Sequence, residues 1–110
     1  MMDTDVFAEE IFGFHAQQAV ERSLKAWLAL LGRQYPATHD ISALLEILGR
    51  SGLDVEPHWN LVEYNVYAVR LRYESVDLSE EPLDRAATVR QVENLLGLVE
   101  KALAEVLGSP

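Results

Sequence analysis

The sequence predicts an all-α domain, an up-and-down antiparallel bundle of four main helical segments. Apolar residues recur at spacings of three and four along most of the chain, caps and breakers fall between these periodic runs, and no run reads as a strand with a mate. Val66 to Tyr73 is the best strand candidate. It is rich in β-prone residues but has no second segment to pair with, and a lone strand leaves its backbone unsatisfied.

The first helix is expected from Val6 to Leu31, on a stripe of Phe7, Ile11, Phe14, Ala19, Val20, Leu24, Trp27, Leu28 and Leu31. Asp3 or Thr4 can cap it, Asp5, Glu9 and Glu10 suit the positive end of its dipole, and Gly32 is a plausible residue just past its end. Gly13 weakens its interior by up to about 1 kcal/mol relative to alanine, so a break there is an option. After Pro36, Thr38 or Asp40 can cap a short, very apolar helix carrying Ile41, Leu44, Leu45, Ile47 and Leu48, which Gly49 and Gly52 stop. Pro57 opens a third segment through Trp59, Tyr64 and Leu71, with a kink or restart expected near Asn65. Glu74 to Glu81 is polar and acidic and reads as a loop. Ser79 then offers a cap and Pro82 a first-turn residue for the last helix, whose stripe runs from Leu83 to Leu107 and stops at Gly108.

A chain of 110 residues fits one domain, read as 1–110, with no repeat or linker. The absence of cysteine removes disulfide scaffolds, thiolate metal sites and cysteine nucleophiles, and suits a reducing cytoplasm. Nine Lys and Arg against 18 Asp and Glu give a formal charge of -9, which disfavours broad nucleic-acid binding and confines any RNA contact to a local patch. No apolar run approaches the roughly 20 residues of a membrane span, and the first residues are acidic where a leader would be basic, so a cytoplasmic protein without a membrane partner is expected. Phe12, Ala16, Ala26 and Leu30 on the first helix and Leu98 on the last lie off their main stripes. That surplus calls for a partner, and a twofold homodimer is the commonest kind.

Motifs for chemistry are sparse. His15, Gln18, Arg22 and Lys25 line up on one helix face as a polar stripe that solvent alone would explain, and Glu21 with Lys25 makes an i,i+4 ion pair worth a few tenths of a kcal/mol. His15, His39 and His58 are far apart and show no metal-ligand spacing, so no metal or other cofactor is expected. His39 and Asp40 read as a helix start. Neither a phosphate-cradling glycine loop nor a nucleophile elbow is present. Arg70, Arg72 and Tyr73 form the densest basic and aromatic cluster, suited to a phosphate and a base, although pairing of both arginines with nearby acids would explain them equally well.

The run from Phe14 to Ala26 (FHAQQAVERSLKA), then Tyr35-Pro36, the block Thr38-His39-Asp40 with its leucine-rich helix, and Tyr67 to Tyr73 (YAVRLRY) resemble the HEPN domain family of prokaryotic helical bundles. The resemblance implies a dimerising bundle, like the substrate-binding domains of nucleotidyltransferases. It also implies a partner, a minimal nucleotidyltransferase, in pairs that often behave as toxin and antitoxin. Many members are metal-independent ribonucleases whose signature is an Arg followed, after four to six residues, by a His. Arg72 occupies the arginine position, but Asp77, Leu78 and Ser79 stand where the histidine would be. An exposed Asp titrating near 4 is a poor base at neutral pH. Arg33 and His39 have a matching spacing but straddle Pro36, which argues for coincidence. Members usually carry a complete helix ahead of this block, so the first helix is expected to be shortened. His15, Gln18, Lys25, His39 and Asp40 are carried over as candidate lining of a cleft, and Arg70, Arg72 and Tyr73 as candidate phosphate or RNA contacts. Three functions stay open: a non-nuclease component that binds nucleotide or RNA phosphate, a ribonuclease toxin using Arg72 at a dimer cleft, and a structural dimerising adaptor.

Overall fold

The computed structural model describes residues 4–70 and 83–108. These form α1 (Thr4–Leu30), α2 (Ile41–Arg50), a 3-10 helix (Glu56–Tyr64) that continues as α3 (Asn65–Arg70), and α4 (Arg85–Gly108), with no strand among the described residues. The all-α bundle is as expected. Its three long legs run up, down and up: His58 packs edge-on to Trp27 and Tyr67 lies on Gly13, so the 3-10/α3 leg descends along α1. Glu9 meets Leu83 and Arg85 at the other end, and α4 climbs α1 again. The connection after α1 folds back about 20 Å down its side, so that the His39 carbonyl meets Gln17 and α2 starts beside the middle of α1.

Each boundary has a local cause. Gly32 takes a φ of 71°, where a side chain would be strained, and ends α1 in the manner expected. Asp40 caps α2, accepting from the Ser42 backbone N–H at 3.0 Å, while Thr38 Oγ1 accepts from Asp40 N–H at 3.1 Å. The expected restart at Asn65 is the change from 3-10 to α geometry, and Asn65 uses its amide to bridge back to α2.

Two expectations change. α1 does not break at Gly13: a Cβ there would stand 2.3 Å from the Tyr67 ring, so the glycine is a seat for that ring on an unbroken helix. α4 starts at Arg85 rather than near Pro82, because Asp84 supplies the cap by accepting from Ala87 N–H at 3.0 Å, and the Glu9 carboxylate takes the Leu83 N–H just before it. The expected loop from Glu74 to Glu81, and Ser79 and Pro82, lie outside the described residues.

The core is built on Val20, Leu24 and Leu28 of α1, Ile41, Leu44, Leu45 and Leu48 of α2, and Leu61, Tyr64, Tyr67 and Leu95 from the other legs. Tyr64 brings its hydroxyl inside, donating to Gln91 Oε1 at 2.6 Å and lying 3.1 Å from Thr88 Oγ1, which ties the descending leg to α4. Burial pushes this phenol above its ordinary range. α4 contributes less than its long stripe promised: Leu95, Val99 and Thr88 are buried, but Val89, Leu96, Leu103, Val106 and Leu107 stay exposed.

Candidate functional site

The polar residues converge where the folded-back connection lies against α1. Glu21 is its hub. The i,i+4 pair with Lys25 is not the surface pair that spacing alone implies, since Glu21 is only 4% exposed. Its Oε2 accepts from Lys25 Nζ at 2.9 Å, and its Oε1 accepts from Gln17 Nε2 at 3.1 Å and lies 2.9 Å from His39 Nδ1. Burial by itself would push the Glu21 carboxyl up. The hydrogen bonds from Lys25, His39 and Gln17, with the charge of Lys25, outweigh it and hold the group below the ordinary glutamate range.

Gln17, fully buried, also donates to the His39 carbonyl at 3.0 Å and accepts from Gln18 Nε2 at 2.7 Å. Lys25 lies 5.8 Å from the centre of the Tyr35 ring, within cation–π range. One residue beyond His39, Asp40 Oδ1 accepts from Ser42 Oγ at 2.7 Å and Asn65 Nδ2 at 2.8 Å, and these contacts hold its carboxyl below the ordinary range. Asn65 Oδ1 in turn accepts from Ile41 N–H at 2.9 Å. One network thus runs from α1 through the connection to α3. It fixes the connection to the bundle and leaves the His39 ring 51% exposed at the surface.

Gln18, Lys25, His39 and Asp40 are therefore brought together. His15 is not with them: it packs edge-on to Phe14, with ring centres 5.9 Å apart, and lines a groove on the α4 side of α1. The expected stripe of His15, Gln18, Arg22 and Lys25 is thus divided between two sides of one helix. Arg33 is exposed beyond the end of α1, and His39 is engaged by Glu21, so their matching spacing marks no joint site. Arg70 is the last residue of α3, and Arg72 and Tyr73 lie outside the described residues. His58, half-buried against Trp27, has its imidazole pushed below the ordinary histidine range by burial, against the opposing charge of Asp54. Among the described residues no three His, Asp or Glu side chains gather as metal ligands.

Gln17, Glu21 and Asn65 were not among the candidates. The signal for Gln17 was present: it sits three and seven residues before Val20 and Leu24, on the apolar stripe itself, where an uncharged amide needs an internal partner.

The sequence matches the model of the HEPN domain family across residues 8–108, nearly the whole chain. The chain belongs to the HEPN domain family. The FHAQQ block of this HEPN chain is thus where α1 receives the connection, and its Thr38-His39-Asp40 block is the segment received. No curated protein and no solved structure matches the chain.

Proposed function

We propose that this HEPN protein is a non-nuclease component that binds the phosphate of a nucleotide or RNA, acts as a homodimer, and pairs with a minimal nucleotidyltransferase in a toxin–antitoxin arrangement. The observation that carries the reading is the sequence after Arg72, where Asp77, Leu78 and Ser79 replace the histidine a nuclease of this family would place there. Two of the chain's three histidines, His39 and His58, are engaged elsewhere in the bundle. His39 is coupled to the buried Glu21, and His58 packs on Trp27 at the opposite end of the descending leg from Arg70. Arg70, Arg72 and Tyr73 supply forked donors and a stacking face, the means of holding a phosphate and a base in a chain whose charge of -9 opposes any wider contact.

Incubation with total RNA and tRNA in the absence of metal tests the non-nuclease half. Intact RNA is expected, and robust cleavage abolished by Arg72→Ala would establish the ribonuclease reading instead. Amide shifts around Arg72 in a nucleotide titration test the binding half. No shift at millimolar ligand would leave a dimerising adaptor. A cytoplasmic setting goes with this reading, and no helix among the described residues is long and apolar enough to cross a membrane.

A further inference from the structure

The α1–α4 side of the bundle carries two stripes with the same seven-residue repeat. On α1, Phe12, Ala19 and Ala26 alternate with His15 and Arg22; on α4, Val89, Leu96 and Leu103 alternate with Glu93 and Glu100. Residues seven apart on a helix share a face, so each stripe is one continuous edge. Val89, Leu96 and Leu103 are 44%, 45% and 42% exposed, large aliphatic side chains left half in water along about four turns. Between the stripes runs an almost wholly apolar groove of about 210 Å³, floored by Ala16 and Ala19 and walled by Phe12 and Val89.

The two edges differ in size and in charge. Beyond Phe12 the α1 edge is small and carries the cation Arg22, and beyond Arg85 the α4 edge is large and carries the anions Glu93 and Glu100. Neither Arg22 nor Glu93 makes an ion pair with a described residue. A surface with these two halves side by side is complementary to itself once turned over.

We infer that this face is where a second copy of the chain docks, with α1 of each copy against α4 of the other about a twofold axis parallel to the helices. The inference rests on the homodimer proposed above and assigns its surface. Such an axis keeps every residue at its own height. α4 climbs beside α1 with Phe12 at the level of Arg85 and Ala19 at that of Val92, which puts Arg22 near the level of Leu96. Arg22 of one copy then reaches between the partner's Glu93 and the partner's Glu100, one turn below and one above. Leu96 of each copy settles between Ala19 and Ala26 of the facing α1. A twofold perpendicular to the helices would instead set α1 on α1 and α4 on α4, placing like charges together. His15 becomes enclosed at the interface, which accounts for an imidazole on the side of α1 away from the Glu21 network.

The test is light scattering on the size-exclusion peak of the full chain at tens of micromolar, with circular dichroism to confirm helicity. The wild type is expected to be a dimer. Leu96→Asp, at a position already half in water, is expected to give a helical monomer. Arg22→Glu is expected to raise the dissociation constant at least tenfold, and adding Glu93→Arg with Glu100→Arg to restore the dimer. A monomeric wild type would overturn the homodimer and this surface together. A dimer that survives Leu96→Asp would overturn the surface and leave the homodimer standing. Tighter association of Arg22→Glu would overturn the parallel axis.

Discussion

At the scale of single residues, the chemistry that matters is a buried negative charge and a missing methyl group. Glu21 is stable as an anion inside the bundle because three donors from two parts of the chain replace its water. Glu21→Gln removes the counter-charge of Lys25, takes the carboxylate partner from His39 Nδ1 and mismatches the Gln17 amide. We expect it to cost about 1–3 kcal/mol in urea unfolding, the range for a buried polar group losing its partner. The carboxyl titrates below its ordinary value in the fold, so its contribution is complete above pH 4.5 and is lost as pH falls through the lower folded value. His58 acts in the same direction at higher pH: the unfolded chain takes up a proton near pH 6.5 that the half-buried ring resists, so stability declines below that point. An acid titration of stability should show an early loss that His58→Gln reduces and a later loss, shared by Glu21 and Asp40, that Glu21→Gln reduces. Gly13→Ala should destabilise by about 1–3 kcal/mol by thermal unfolding, against the helix-propensity gain of up to about 1 kcal/mol, because its methyl would stand 2.3 Å from the Tyr67 ring.

At the scale of elements, one side chain often secures two boundaries. Asp40 caps α2 and receives Asn65 from the start of α3, and Glu9 receives both the Leu83 N–H and the Arg85 guanidinium at the start of α4. Asp40→Ala is expected to cost about 1–2 kcal/mol, more than Asp84→Ala, since loss of a cap alone is typically about 1 kcal/mol. Chemical unfolding of the two variants side by side checks the order. The elements themselves were legible in the sequence: Gly32, Asp40, Pro57 and Asn65 each sit at the boundary that their backbone chemistry or capping oxygen implies. The start of α4 was less legible, because Ser79 and Asp84 are both competent caps and Glu9, 74 residues away from Leu83, favours the second. The network around Glu21 was hidden for the same reason. An i,i+4 pair reads identically whether it faces solvent or a returning loop, and only the fold brings His39 back to α1.

At the scale of the whole molecule, the apolar surplus read along α1 and α4 remains largely at the surface in a single chain. Val106 and Leu107, 60% and 74% exposed, extend it along the end of α4, while Ala16 is absorbed into the core. The bundle presents two distinct sides of α1: one fastened to the connection by Glu21, the other open beside α4. The proposed function depends on the sequence cluster Arg70, Arg72 and Tyr73. The most direct test is a fluorescence-anisotropy titration of an end-labelled, single-stranded RNA with the full chain, without metal, with the recovered RNA sized on a gel. Saturable binding that weakens with salt and is lost in Arg72→Ala, with RNA of unchanged length, is the predicted result. Binding unaffected by Arg72→Ala, or RNA shortened by the wild type alone, would contradict it.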